Sequence, residues 1–519
     1  MLRFVGGRYR LAVVERHRVF LAVDRLGTLP WYVSSPVRGG IVFASSLDEL
    51  VAHPAAAGGL SAQAIAEYFH FQVLYGRRTP YRGVERLRPG ECLLVDEHGI
   101  TREEHGRLSY AAPRRCSRRQ ERELREELRR VLRDSVQREI ADAGGHIGAF
   151  LSGGLDSSTV VGLATEVLGR SVDTFTVRFD VPGYDESAYA TIAARRFGAR
   201  QHIHTVTPSD MAEDLERIAE LFDEPFGNSS AAGSIHCAKL ARQHGVHTML
   251  AGDGGDELFG GGELFVLMQR FELFQRLPAP ARTAIERALA VPGVSALPWL
   301  HRASSYVRRA KIPMPARARS YEYLAPATWS EVFEPAFIEA IDADELASVV
   351  ENAYVAPPDA DSLQRHLRYA LRTVSASDDL PKVLRTCAAH GVEARFPLLG
   401  DDVMSFVASV PSNVLVKHLH ERAFYREALR DFLPSAILSK RKHCFSHPLA
   451  AWMTGPTPLR YAIVEALRSF ANRGIVRRDL LSRLIAEPTL LRRPELTALV
   501  WYMAVLERWL SVRKLESWS

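Results

Sequence analysis

The feature that most limits what this chain can fold into is an alternation running from His146 to Gly252. Four short apolar runs, HIGAFL, VDTFTVRF, QHIHTV and VHTMLAG, are separated by helical segments of ten or more residues that begin near Ser157, Glu186, Ser209 and Ala231. Strands spaced this way cannot close as hairpins. Each must cross over through a helix to lie parallel to the last, which predicts an α/β, doubly wound parallel sheet. Ligands of such sheets bind outside the carboxyl ends of the strands.

The flanking regions read differently. Residues 1–112 carry short period-two runs (RLAVVE, VFLAVD, LGTLPWYV, RGGIVFASS, ECLLVDEHGI) between Gly and Pro turns, with one helix around SAQAIAEYFHF. This predicts a small antiparallel β domain. Residues 111–118, AAPRRCSR, have linker composition. From Gln120, Leu124, Leu128, Val131, Leu132, Val136 and Ile140 recur at helical spacing, so a second domain is expected over 119–519, mostly helical after residue 263. The helix TALVWYMAVLERWL near the end is apolar all round, which favours a place in the core over a peptide groove.

Composition excludes several classes. Sixty-six Lys and Arg stand against 61 Asp and Glu, a net charge of +5 in 519 residues, which gives no polyanion-binding signature and so no nucleic acid partner. The first 25 residues break their apolar stretches with Arg and Glu, and no run reaches the roughly 18 apolar residues of a membrane span. No membrane insertion and a cytoplasmic location are expected. Cys92, Cys116, Cys237, Cys387 and Cys444 are scattered without a CxxC pair, so buried free thiols are expected rather than disulfides or a zinc site.

The chemistry concentrates in GAFLSGGLDSSTVV. An apolar strand runs into Ser152-Gly153-Gly154, and Asp156-Ser157-Ser158 opens a helix. Glycines let backbone N–H groups approach phosphate oxygens, hydroxyls add donors, and the helix N-terminus adds partial positive charge. No Lys follows the glycines, which disfavours a Walker-type loop. A plain tight turn of small residues is the alternative, but it does not demand Asp156 and two adjacent hydroxyls.

SGGLDSS resembles the signature of the N-type ATP pyrophosphatases, and its neighbours resemble the asparagine synthetase superfamily. Those neighbours are Tyr184-Asp185-Glu186, Asp223-Glu224-Pro225, Ala251-Gly252-Asp253-Gly254-Gly255-Asp256-Glu257, Gly391-Val392-Glu393-Ala394-Arg395, and Lys440-Arg441-Lys442 with Phe445, Pro448 and Trp452. The resemblance implies ATP and Mg2+ as cofactors. It implies that Leu151, Ser152, Gly153, Gly154, Asp156, Ser157, Ser158, Val177, Gly252, Asp253 and Gly254 hold the nucleotide, and that Asp156 and Asp256 hold the metal with hard carboxylate oxygens. Lys442 is implied to stabilise developing charge, its alternative being a solvated basic run. Asp253 and Glu257 have helix capping as an equal alternative. Asp379 and Glu393 are candidates for handling an amine, with Glu393 otherwise a buried partner of Arg395.

Asparagine synthetases begin Met-Cys, the cysteine attacking glutamine to liberate ammonia; here residue 2 is Leu2 and the first cysteine is Cys92. Asp24-Arg25-Leu26-Gly27, Val42-Phe43-Ala44-Ser45-Ser46 and Leu87-Arg88-Pro89-Gly90 resemble only the later part of that glutaminase fold. A truncated, degenerate glutaminase-like domain without glutaminase activity is therefore expected. Leu384 and Gly400 stand where the family usually has Asp, which implies a remodelled aspartate pocket. Relatives that make no ammonia include β-lactam synthetases and lasso peptide macrolactam synthetases. The curtailed first domain resembles the latter, implying a linear core peptide as substrate, with a leader peptidase and a leader-recognition protein as partners. A β-lactam-type or other small-molecule amide synthetase is the second reading, and a catalytically inactive peptide-binding relative a third.

Overall fold

The computed structural model describes residues 5–35, 40–56, 58–112, 116–289, 298–319, 324, 328–355, 360–440 and 447–518. Seven strands form the N-terminal region. β1 (Arg10–Glu15), β2 (Arg18–Val23), β6 (Glu91–Asp96) and β7 (Gly99–Glu104) make one antiparallel sheet in the order β1-β2-β6-β7, and β4 (Val42–Ala44), β3 (Tyr32–Ser34) and β5 (Val84–Arg86) make another. Helix α1 (Ala62–Phe71) lies against them, capped by Ser61, whose hydroxyl accepts from the Ala64 N–H. The reading of a small antiparallel domain holds.

The alternation after His146 forms the sheet it implies. β8 (His146–Phe150), β9 (Asp173–Phe179), β10 (Arg200–Val206), β11 (Val246–Leu250) and β12 (Glu393–Arg395) are all parallel, in the order β10-β9-β8-β11-β12. The chain winds outward from β8 to β10, then returns to β11. The order therefore reverses between β8 and β11, and the loops after these two strands diverge to leave a crevice. Helices α2 (Arg118–Ala141), α3 (Leu155–Leu168), α4 (Ser187–Phe197), α5 (Pro208–Leu221), α6 (Ala231–Gln243) and α7 (Gly255–Phe259) surround the sheet. Helices α2 to α6 start within two residues of the positions read from sequence.

Among the described residues of the remainder, helices predominate and β12 is the only strand. The helices include a π-helical stretch, Leu371–Asp379, leading into α8 (Leu380–Ala389), and α9 (Ala423–Ala428) and α10 (Pro494–Val512). Trp501 and Trp509 of α10 are 1% exposed and share one apolar cluster with Tyr68 and Phe69 of α1. Helix α10 is thus core, as its composition suggests, and the core it enters joins the N-terminal domain to the parallel-sheet one. Arg86, at 3.2 Å from Glu224, adds an ion pair across the same junction. No helix among the described residues is long and apolar enough to cross a membrane.

Candidate active site

A cleft of about 690 Å3 opens at the carboxyl ends of β8 and β11, at the reversal of strand order. One end of it is the turn between β8 and α3. Gly153 takes φ +70°, and a Cβ there would lie 2.3 Å from the Ala190 backbone nitrogen, so only glycine fits. Helix α3 has no side-chain cap, which leaves its first N–H groups turned to the cleft. Ser152 and Ser157 hydroxyls lie 3.1 Å apart, and the Ser152 N–H donates to Ser157 Oγ at 3.2 Å. These are the donors a phosphate requires.

Two carboxylates face this turn from different strands. Asp156 in the first turn of α3 and Asp256 in the first turn of α7 both meet the Arg422 guanidinium, which donates to Asp156 and stands 3.0 Å from Asp256. Hard oxygens from two strand ends converging on one cation suit a divalent metal such as Mg2+, so the residues present fit the ion that sequence implies. A second grouping, His204, Asp210 and His236, does not fit one: the two rings stack at 4.5 Å with 8° between planes, so their in-plane lone pairs run parallel rather than converge.

The opposite end is built from the N-terminal domain, the π-helical stretch and α10. Asp378 is 4% exposed and accepts from Gln72 Nε2 at 2.8 Å and Asn228 Nδ2 at 2.7 Å. Gln72 is held in turn by the Tyr502 hydroxyl at 3.2 Å, and its carbonyl accepts from the Gly227 N–H at 2.7 Å. Burial, then the Asp379 charge, pushes the Asp378 carboxyl up to about 7. Asp379 instead ion-pairs with Lys382 at 2.8 Å. Burial likewise raises Asp253, opposed by Lys382.

The cleft gathers most of the residues singled out by sequence: Leu151, Ser152, Gly154, Asp156, Ser157, Val177, Gly252, Asp253, Gly254, Asp256 and Asp379 line it. Gly153 shapes the turn, and Ser158 is buried behind it. Lys442 lies outside the described residues. Glu393 sits on β12, away from the cleft, and its side chain is 44% exposed, so it pairs with Arg395 at 3.1 Å without being the buried partner expected. Asp253 and Glu257 do not cap: Gly254 is the N-cap of α7, with no side-chain cap bond. Leu384 borders a separate small cavity, and Gly400 packs toward Ser135 of α2, so neither lines the main cleft. Sequence reading missed Arg422, Asp378, Gln72, Asn228 and Tyr502. The doublet Asp378-Asp379, whose second residue the sequence already singled out, was a legible signal for the second of these.

Parallel-sheet topology with a Gly- and Ser-rich turn and paired carboxylates at the switch point defines an α/β protein with a cleft at the carboxyl ends of its strands. The chain belongs to the asparagine synthase family: the model of that family, "Asparagine synthase", matches residues 127–511, and "Glutamine amidotransferase domain" matches residues 1–106. It is similar to "Asparagine synthetase [glutamine-hydrolyzing] 1" of Bacillus subtilis (strain 168), 25% identical over 440 residues, covering 84% of this chain and 67% of that protein. It is 28% identical over 476 residues to "Putative asparagine synthetase [glutamine-hydrolyzing]" of Mycobacterium tuberculosis (strain ATCC 25618 / H37Rv), covering 89% and 70%. A third relative, "Putative asparagine synthetase [glutamine-hydrolyzing] 2" of Methanocaldococcus jannaschii, is 30% identical over 281 residues, 53% of each chain.

Proposed function

We propose that this chain is an ATP-dependent, AMP-forming amide ligase acting as a lasso peptide cyclase: it joins an Asp or Glu side chain of a linear core peptide to the peptide's own N-terminal amine. The observation that carries amide ligation is the two-ended cleft, with a phosphate turn at one end and a buried, proton-accepting carboxylate at the other. In the first step a side-chain carboxylate oxygen attacks the α-phosphorus of ATP and pyrophosphate leaves. In the second the amine nitrogen attacks the acyl carbon, AMP leaves, and the amine's proton passes to a base.

The residues have distinct parts in this. The α3 N–H groups and the Ser152 and Ser157 hydroxyls hold phosphate oxygens, and Arg422 balances their charge. Bound Mg2+ would screen the triphosphate and polarise its oxygens, with Asp156 and Asp256 as its protein ligands. Asp378, poised near neutrality, takes the amine's proton, and Gln72 and Asn228 fix its orientation. Holding amine and acyl adenylate together is worth about 7 to 11 kcal/mol when geometry is good, which makes positioning the main task of the helical walls.

An internal amine is supported by the thiols. Cys237 and Cys387 are buried, and burial raises both, the first to about 12; Cys92 lies in β6 with its thiol donating to the Glu103 carbonyl at 3.6 Å and is likewise raised. None is a poised thiolate for splitting glutamine. A leader peptidase and a leader-recognition protein would be its partners, and the cytoplasm its place. A small-molecule amide synthetase is the second reading, favoured by the cleft volume, which suits a nucleotide and one small acid. Incubation with ATP, Mg2+ and a linear core peptide separates the two. Loss of one water from the peptide with matching AMP and pyrophosphate supports cyclisation; pyrophosphate release with a small amino acid and none with any peptide overturns it.

A further inference from the structure

Arg422 stands where the two carboxylates of the nucleotide end meet, and the chain is shaped around that meeting. A Cβ on Gly255 would lie 2.0 Å from Asp156 Oδ1 and 2.7 Å from Arg422 Nη2. One on Gly261 would lie 1.8 Å from Asp256 Oδ1 and 2.9 Å from Arg422 Cδ. Both glycines therefore clear space for the carboxylate–guanidinium–carboxylate group as a unit. Arg422 also adopts φ +55°, a left-handed conformation that a side-chain-bearing residue keeps only where its surroundings impose it. It is 5% exposed, and its guanidinium lies 5.1 Å over the Tyr425 ring, which stacks on Phe259 at 4.1 Å. This arginine is fixed in place rather than draped over the acids from solvent.

We infer that Arg422 is a resident cation of the Asp156–Asp256 pair, occupying it before nucleotide arrives and coupling entry of a divalent ion to entry of the triphosphate. The inference rests on the reading that the β8–α3 turn binds nucleotide. Two partly buried carboxylates that converge repel unless a cation lies between them, and Arg422 supplies one without needing solvent ions. A divalent ion arriving alone would have to share the same oxygens with a guanidinium that offers no oxygen of its own, although such ions require six or more oxygen ligands. A triphosphate removes the conflict. Its oxygens can take the guanidinium fork in bidentate fashion and also complete the coordination of the ion. Ion and nucleotide are then bound with positive coupling, each raising the affinity of the other by the same factor.

The test is a titration of the full chain with Mn2+, followed by the electron paramagnetic resonance of the free ion, with and without non-hydrolysable α,β-methylene-ATP. In the wild type the analogue should tighten Mn2+ binding at least tenfold. Arg422→Met should bind Mn2+ alone at least tenfold more tightly than the wild type, with a smaller gain from the analogue, and adding Asp256→Asn should abolish that new site. Arg422→Lys keeps a charge but cannot bridge both acids, so its affinity for Mn2+ alone should fall between the two; this variant carries the test if the methionine variant does not fold. Wild-type protein that takes Mn2+ equally well with and without bound analogue overturns the inference, as do folded Met and Lys variants that bind it no better than wild type. Failure of the wild type to bind the analogue at all overturns the nucleotide reading instead, and the Mn2+ affinities without analogue still report on Arg422.

Discussion

The two ends of the parallel sheet each hold carboxylates paired with an arginine, and they differ in what else is there. At the carboxyl ends Asp156 and Asp256 share Arg422 beside an uncapped helix and glycines that clear space. At the amino ends Asp173, first residue of β9 and 3% exposed, is held by Arg200 at 2.7 and 3.0 Å, His146 at 2.8 Å and His202 at 2.8 Å. Its partners project from the neighbouring strands and use both of its oxygens. The amino-end cluster is closed on itself, whereas the carboxyl-end cluster faces a cleft. Strand polarity explains the difference, because a parallel sheet delivers its helix N-termini and irregular loops to one end only.

Breaking the carboxyl end should cost most. Asp156→Asn is expected to lower the rate of AMP formation by about 10² to 10³, the range for losing one preorganised charge at a reacting centre. Gly261→Ala puts a methyl group 1.8 Å from Asp256 Oδ1 and must push that carboxylate aside. A shift of about 1 Å costs on the order of 10²-fold in rate, so AMP formation should fall that far with the fold intact by circular dichroism. Full activity in either variant would place the chemistry elsewhere.

The acceptor end gives a pH signature. Asp378 accepts a proton only when ionised, and burial holds its carboxyl up at about 7, so the wild-type rate should fall as pH drops through that value. Asp378→Asn should lose about 10²-fold in rate and lose this acid limb, as measured by single-turnover amide formation across pH. A retained limb would assign the titration to another group.

Sequence made one half of the site legible and hid the other for a physical reason. Phosphate binding depends on backbone exposure, so it needs glycines, small hydroxyls and an acid at fixed short spacing, and SGGLDSS and GDGGDE display them within single turns. The acceptor end is assembled from Gln72, Asn228, Asp378 and Tyr502, whose hydrogen-bonded pairs lie 150 to 430 positions apart and are created only by tertiary packing. No local pattern marks Gln72 as anything but the residue after a helix. Arg422 was hidden in the same way, its role set by a left-handed turn that aims an ordinary surface residue type inward. The fold was more open to reading because its periodicities are local, and the alternation after His146 leaves few topologies.

Asp173→Asn should show the amino-end cluster to be structural. It should cost about 2 kcal/mol, the scale for hydrogen bonds to a charged group, and leave kcat unchanged. Burial alone would raise the Asp173 carboxyl, but the bonds from Arg200 and His202 outweigh it and hold it below its ordinary value of 3.8. A carboxyl lowered on folding stabilises above that ordinary value and ceases to as pH falls through its lowered one. The difference in melting temperature between wild type and variant should therefore shrink on acidification. A difference that grows instead would mean the carboxyl is raised in the folded state.

The smallest effect is expected at Glu393, where the two regions can be told apart by what a carboxylate does not do. It lies on the edge strand β12, bonds Arg395 at 3.1 and 3.2 Å, and meets Arg8 at 3.1 Å. Arg395 in turn donates to the carbonyls of Glu139 and Asp142 at the end of α2, both at 2.9 Å, where a cation suits the helix C-terminus. Glu393 therefore orients an arginine that closes a helix. Its 44% exposure keeps such a pair to about 1 kcal/mol or less. Glu393→Gln should leave the rate of amide formation within about twofold and stability within that limit, measured by steady-state AMP release and thermal melting. A loss of rate beyond tenfold at unchanged stability would move the handling of the amine to the sheet edge and undo the contrast between a working end and a structural one.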